Sequence, residues 1–310
     1  MSALICGSMA YDTIMVFHDK FKNHILPEKI HILNVSFLVP VMRREYGGCA
    51  GNIAYNMKLL GEEPLIMATV GHDFEPYAQW MAQNQLSSEF IKILDDSYTG
   101  QAYITTDEEA NQITAFHPGA MNSSHLNSVP TDGKISIGIV SPDGKEGMQL
   151  HAEQFAELDI PFIFDPGQGM PMFNKEELLK LIDQATWVTL NDYESELMLE
   201  RTGLSFEQLA ERVEALIITL GGKGSQIYTH GECINIPPAK PKAILDPTGC
   251  GDSYRAGILY GLMNDLGWET TGRVASLLGA IKIENNGTQN HSFDMDGFKQ
   301  RYRENFGSSF

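Results

Sequence analysis

Asp252 sits where a carboxylate is hard to explain by stability alone. It closes the segment Asp246-Pro247-Thr248-Gly249-Cys250-Gly251-Asp252, and Ser253-Tyr254-Arg255-Ala256-Gly257-Ile258-Leu259 reads on from it as a helix. At such a helix start the N–H groups of Gly249, Cys250 and Gly251 lack intrahelical acceptors, with about half a positive charge of macrodipole behind them. That is a cradle for an anion. A carboxylate placed inside it competes with the anion. Phosphoryl transfer uses both: the carboxylate takes a proton from a hydroxyl as that hydroxyl attacks a phosphorus atom, while the amides absorb the charge. The alternative needs no chemistry, with Asp252 as a first-turn helix acid behind a glycine turn, which is the commoner reason for an isolated Gly-x-Gly-Asp.

Four further segments place glycine or polar residues at the ends of apolar runs. Gly7-Ser8-Met9-Ala10-Tyr11-Asp12 follows Ala3-Leu4-Ile5-Cys6, and Gly47-Gly48-Cys49-Ala50-Gly51-Asn52 opens a helix over Ile53–Leu60 that ends at Gly61. Asn191-Asp192-Tyr193-Glu194 follows Trp187-Val188-Thr189-Leu190, and the last segment is Ile218-Thr219-Leu220-Gly221-Gly222-Lys223-Gly224-Ser225. Each has a plain structural reading: Asp12 in a turn, Gly47-Gly48 as a flexible lead into a helix, Asn191 and Glu194 as a capping box. Together and in this order, the five resemble the signatures of the ribokinase-like (PfkB) family of carbohydrate and nucleoside kinases, over nearly the whole chain.

The resemblance implies roles. Asp252 is the base, and Gly249, Cys250 and Gly251 form the anion hole. Asp12 accepts hydrogen bonds from two ribose hydroxyls, Gly48 lets the sugar approach the backbone, and Asn52 bonds a hydroxyl. Asn191 and Glu194 place Mg2+ and the phosphates of ATP through water. Thr219, Gly221 and Gly224 line the path of ATP, and Ser276 falls where a residue contacts adenine. Some members also bind K+ beside the anion hole; here Asp246 and Thr248, with carbonyls near Lys282, Asn285, Gly287 and His291, match that site. Asn285-Asn286-Gly287-Thr288-Gln289 departs from the smaller residues often found there.

The elements that must hold these residues follow from hydrophobic periodicity. Short apolar runs at Ala3–Cys6, Leu65–Val70, Ile135–Val140, Phe162–Phe164, Trp187–Leu190, Leu216–Leu220 and Gln226–Thr229 read as strands. Helical spacing intervenes at Phe74–Gln83, Lys175–Ala185 and Phe206–Ala215, the last with Leu209, Val213 and Leu216 on one stripe. Alternation of this kind predicts an α/β fold with a doubly wound, mostly parallel central sheet and helices on both faces. The glycine segments then fall at strand C-terminal ends, where open α/β sheets bind ligands.

Two stretches break the rhythm. Thr13–Phe17 and Phe37–Val41 alternate with no helix between them, and Ala102–Thr106 and Gln112–Phe116 flank the polar turn Asp107-Glu108-Glu109-Ala110-Asn111, a hairpin signal. An edge sheet is one reading. The family resemblance implies the other, a small β-sheet lid formed by about 13–46 and 99–118 on one ribokinase-like α/β domain spanning residues 1–310. Asn111-Gln112-Ile113-Thr114-Ala115-Phe116-His117-Pro118-Gly119-Ala120-Met121 is similar to the lid segment of adenosine and nucleoside kinases, with Phe116 placed to stack on a base or to fill the lid core. Ala10 stands where ribokinases carry asparagine. The expected acceptor is therefore the 5′-hydroxyl of a nucleoside, adenosine first. A ribose- or fructose-type sugar kinase and a noncatalytic nucleoside-binding protein are the alternatives.

Composition narrows the remaining classes. With 310 residues, 43% hydrophobic and 9% aromatic, the chain has ample material for a core. Its formal net charge of −18 opposes nucleic acid and anionic membrane as partners, so an anionic cosubstrate has to be met by local donors. The expected partner is a small molecule, and the chain a monomer or homodimer. Cys6, Cys49, Cys233 and Cys250 show no metal-binding spacing and suit a reducing cytoplasm. No run approaches the roughly eighteen apolar residues of a membrane span. Gly221-Gly222-Lys223-Gly224-Ser225 lacks the earlier glycine of a P-loop, and no Gly-x-Gly-x-x-Gly follows the first strand, which removes the P-loop and nicotinamide readings.

Overall fold

The most apolar runs become strands lying side by side, because only a sheet covered on both faces can bury residues that point both ways. The computed structural model describes residues 2–25, 32, 34–109 and 111–310. The first half runs β1 (Ser2–Cys6), β2 (Ala10–Val16), β3 (Val41–Gly47), α1 (Cys49–Leu59), β4 (Leu65–Gly71), α2 (Glu75–Gln83), β5 (Ser87–Leu94), β6 (Gly100–Thr106), β7 (Gln112–His117), β8 (Ile135–Val140) and α3 (Lys145–Glu157). There follow β9 (Phe162–Phe164), α4 (Lys175–Gln184), β10 (Trp187–Asn191), α5 (Asp192–Thr202), α6 (Phe206–Ala210), β11 (Ala215–Thr219), β12 (Ser225–Thr229), β13 (Glu232–Ile236), α7 (Cys250–Met263), α8 (Trp268–Ile283) and α9 (Met295–Phe306).

Among the described residues, one sheet has the order β13-β12-β11-β10-β9-β8-β1-β4-β5. From β5 to β11 neighbours are parallel; β12 and β13 add an antiparallel edge. Alternate residues enter opposite cores. Ala3, Ile5 and Ile217 pack with α1, α7 and α8 residues such as Ile53, Ile258 and Leu278, whereas Leu4, Cys6 and Leu216 pack with Phe155, Leu178 and Met198 of α3, α4 and α5. Strand order reverses at β1, which pairs with β4 on one side and β8 on the other. A crevice therefore opens beyond the ends of β1 and β8.

A second sheet, in the order β3-β2-β6-β7, stands apart from the first. The hairpin expected over 102–116 is there as β6 and β7, although Ala110 lies outside the described residues. The other expected pair is corrected. The strand antiparallel to β2 is Val41–Gly47, where an alternating segment was expected at Phe37–Val41. Pro40 offers no N–H to a ladder, and Val41-Met42-Arg43-Arg44-Glu45-Tyr46-Gly47 is too polar to announce itself by alternation. Residues 26–31 and 33 of the expected lid span lie outside the described residues.

Three further differences have physical causes. The helix expected to Ala215 stops at Ala210, because the Glu214 N–H is already taken by the Thr186 carbonyl at 2.9 Å and Ala215 pairs with Trp187. Leu209 and Leu216 still enter one core, one from a helix and one from a strand, which is why their spacing misled. Edge strands β5 and β13 went unpredicted, since much of each is exposed and neither carries a continuous apolar run. No described helix is long and apolar enough to cross a membrane.

Candidate active site

Two helix N-termini come together where α1 packs against α7, and they are finished differently. Gly48 leads into α1 at φ +86°, where a Cβ would lie 2.5 Å from the Ser8 carbonyl oxygen. Ser8 then satisfies the helix: Cys49 N–H donates to its Oγ at 3.1 Å and Ala50 N–H to its carbonyl at 3.0 Å. At α7 the left-handed residue is Gly249, φ +78°. Cys250 N–H closes a turn onto the Pro247 carbonyl at 3.2 Å, which corrects the expectation that it is free. Among the described residues the N–H groups of Gly249, Gly251 and Asp252 have no protein acceptor. Ser8 thus occupies the first two N–H groups of α1, whereas the start of α7 presents Gly249, Gly251 and Asp252 to an anion.

Asp252 is held rather than exposed. Asn52 of α1 donates from Nδ2 to its Oδ2 at 2.7 Å, and Gln289 Nε2 donates to Asn52 Oδ1 at 3.0 Å. Trp80 Nε1 in turn donates to Gln289 Oε1 at 3.0 Å, so a buried relay fixes the amide of Asn52. Asn52 was expected to serve a substrate hydroxyl; its first commitment is to Asp252, with one Nδ2 hydrogen left over. Burial pushes the Asp252 carboxyl up to about 6, opposed by the Asn52 hydrogen bond and by Arg255. Asp12, on β2, is also raised to about 6, first by burial and then by the charge of Asp252.

These shifts carry a prediction. A base must be ionised, so kcat/KM should fall as pH drops through about 6. With Asp12 in its expected role the limb should be steeper than first order, because only the ionised carboxylate accepts from two ribose hydroxyls at once. Asn52→Leu removes a donor to the charged form, which raises the pKa of Asp252 further and moves the acid limb to higher pH. A limb that stays in place in Asn52→Leu would detach the profile from this carboxyl.

Three cavities meet at the start of α7. One of about 480 Å³ is lined by Asp12, Gly48, Asn52, Phe116, Gly249 and Asp252. Another, of about 620 Å³, is lined by Thr219, Gly221, Gly224, Ser276, Cys250 and Gly251. Between them, about 220 Å³ is bounded by Asp165, Asn191, Glu194, Gly251, Asp252 and Arg255. The structure thus brings the expected acceptor residues to one side of Asp252 and the expected nucleotide residues to the other. Ser276 also ties the cavity wall together: its Oγ accepts from Ala239 N–H at 2.8 Å and donates to the Pro237 carbonyl at 3.2 Å. Phe116, on the exposed strand β7, overhangs the acceptor side.

Asn191 and Glu194 do form a capping box on α5: Asn191 Oδ1 accepts from Glu194 N–H at 2.7 Å, and Glu194 Oε2 accepts from Asn191 N–H at 2.8 Å. Among the described residues Glu194 Oε1 has no hydrogen-bond partner. Burial raises the Glu194 pKa and Arg255 opposes it. No group of three or more His, Cys, Asp or Glu able to hold a metal exists among the described residues. A single carboxylate oxygen beside a phosphate-sized cavity fits Mg2+, which keeps its waters and binds mostly through phosphates.

The residues expected to hold K+ also meet, but around a side chain. Asp246 accepts from Thr248 N–H and Gly287 N–H, each at 2.9 Å. The Lys282 ammonium, fully buried, donates to the Asp246 carbonyl at 2.7 Å and the Asn285 carbonyl at 3.3 Å. Two of the expected donors, the Asp246 and Asn285 carbonyls, are therefore already bound to a cation of the chain's own, and K+ does not fit between them while it is there. His291 is engaged elsewhere, its ring with Asn56 Oδ1 and its carbonyl with the Tyr55 hydroxyl.

Several residues at the site lie outside the sequence motifs. Asp165 and Arg255 form a buried two-pronged pair, Nε to Oδ2 at 2.9 Å and Nη2 to Oδ1 at 3.0 Å. The arginine also reaches the Gly251 carbonyl at 3.4 Å and lies 3.8 Å from Glu194. A lone arginine one turn after Asp252 in an apolar helix, and an aspartate ending the strand Phe162–Phe164, were the available signals. Gln289 gave none.

Comparison with known proteins places the chain in a family. The model of the pfkB family carbohydrate kinases matches residues 11–294. A nucleoside kinase of Methanocaldococcus jannaschii is 32% identical over 264 residues, covering 84% of this chain and 87% of that protein. Among solved structures, Burkholderia thailandensis nucleoside kinase in complex with inosine is 47% identical with a TM-score of 0.91 over 99% of each chain. The same kinase in complex with ADP-inosine gives 0.89 at 48% identity, covering 99% of this chain and 97% of that one.

Proposed function

The chain belongs to the pfkB family of carbohydrate kinases and is a phosphotransferase acting on a nucleoside or sugar hydroxyl, and on that premise we propose that it is an ATP-dependent kinase of purine nucleosides, adenosine first, phosphorylating the 5′-hydroxyl. The observation that carries the reading is the position of Asp252, shared by two cavities and set among the unpaired N–H groups of Gly249, Gly251 and its own residue.

In this reading Asp12 accepts hydrogen bonds from the ribose hydroxyls, and Phe116 covers the base. Asp252, kept ionised near neutral pH, takes the proton of the 5′-hydroxyl as its oxygen attacks the γ-phosphorus. The bond from that phosphorus to the β-phosphate oxygen breaks, and ADP leaves with the electron pair. A positioned base contributes on the order of 100- to 10,000-fold. Gly249, Gly251 and Asp252 N–H groups stabilise the charge that develops on the phosphoryl oxygens. Asn191 and Glu194 would hold Mg2+ through water, and the metal would supply further charge neutralisation on the phosphates. The small sheet acts as a lid that excludes water, so that the nucleoside is phosphorylated in preference to hydrolysis of ATP.

Inosine is the second acceptor of choice, since the Burkholderia thailandensis kinase was solved with it. Rates with MgATP and adenosine, inosine, ribose or fructose test the assignment. Nucleosides should exceed the free sugars in kcat/KM by on the order of 100-fold, because contacts to the base are realised only when it is present. A preference for ribose or fructose would replace the nucleoside reading with the sugar one.

A further inference from the structure

Two loops flank the anion hole, and one buried ammonium joins them. The first, Asp246 to Gly249, supplies the open N–H of Gly249. The second, Asn285 to Thr288, lies against it: a Cβ on Gly249 would come 3.0 Å from Thr288 Cγ2. Each loop turns a carbonyl inward, Asp246 from one and Asn285 from the other, and two such dipoles repel unless a positive charge stands between them. Lys282, near the end of α8 and with no exposed surface, puts its Nζ there. The Asp246 carboxylate completes the junction by accepting from Thr248 N–H and Gly287 N–H.

We infer that Lys282 is a tethered monovalent cation, a positioning residue that orders the loop carrying the Gly249 N–H, and that catalysis by this protein needs no K+. The inference rests on the phosphoryl-transfer reading of the site. A free cation would have to displace the ammonium from the same carbonyls or sit beside it, where like charges a few ångström apart repel. A tethered cation has a second advantage, since it loses no translational freedom on binding and is present at any salt concentration.

The test compares K+ with tetramethylammonium, too large for such a junction, at equal ionic strength. Wild-type kcat/KM and melting temperature should be the same in both. Lys282→Ala opens a space of ionic size, and in tetramethylammonium its kcat/KM should fall on the order of tenfold or more, the scale of losing a charge-assisted hydrogen bond. K+ should restore most of that rate and raise the melting temperature of this variant alone. Lys282→Met fills the space with an uncharged chain of similar length and should gain nothing from K+. Wild-type activation by K+ would overturn the inference, and so would a Lys282→Ala rate that K+ leaves unchanged. The melting comparison uses no substrate, so it stands whichever alcohol is the acceptor, and the wild-type comparison decides even if Lys282→Ala does not fold.

Discussion

Asp252→Asn is expected to lower kcat by roughly 100- to 10,000-fold while nucleoside still binds. The substitution preserves shape, and Asn52 Nδ2 can go on donating, now to an amide oxygen, across the 2.7 Å contact. The open N–H groups at Gly249 and Gly251 are untouched. What disappears is the ability to accept a proton, together with one negative charge in the anion's path, so affinity for the nucleotide should hold or improve. Single-turnover rates and calorimetric binding of adenosine separate the two effects. A variant retaining most of its rate would move the base to another residue; one losing nucleoside affinity in parallel would make Asp252 a binding group.

Arg255→Met should have the largest effect on stability. It strands the Asp165 carboxylate, itself buried, without its two-pronged partner, and breaking such a pair costs roughly 3–5 kcal/mol. Denaturant unfolding measures the loss. The double variant Arg255→Met/Asp165→Leu should recover much of it, because a buried ion pair replaced on both sides by apolar groups is often neutral. Activity should not return with stability. Arg255 also reaches the Gly251 carbonyl and stands beside Glu194, so the double variant would be a folded protein with a disordered phosphate cavity. A single variant as stable as wild type would mean that Asp165 is solvated or protonated there.

The parts legible from residue order share a property: each is local. A run such as Ala3-Leu4-Ile5-Cys6, too short for a helix and followed by Gly7, reads as a buried strand, and glycines with Asp252 behind them mark a helix start that offers donors. The five segments were therefore recognisable, and so was the doubly wound sheet. Where the reading failed, the deciding contact came from elsewhere in the chain. The helix at Phe206 stops at Ala210 because of the strand β10, and the strand antiparallel to β2 starts only after Pro40.

By itself, then, the sequence determined the chemistry on offer: a carboxylate, a cluster of free amides and the loops around them. Tertiary structure decided which of those groups are free to act. It tied Cys250 N–H into a turn, capped α1 with Ser8 while leaving α7 open, turned Asn52 towards Asp252, and set Lys282 between two carbonyls. The reason is that hydrogen bonds and charges satisfy one another across space, over sequence separations such as the 237 between Asn52 and Gln289, whereas propensity and spacing act only on near neighbours.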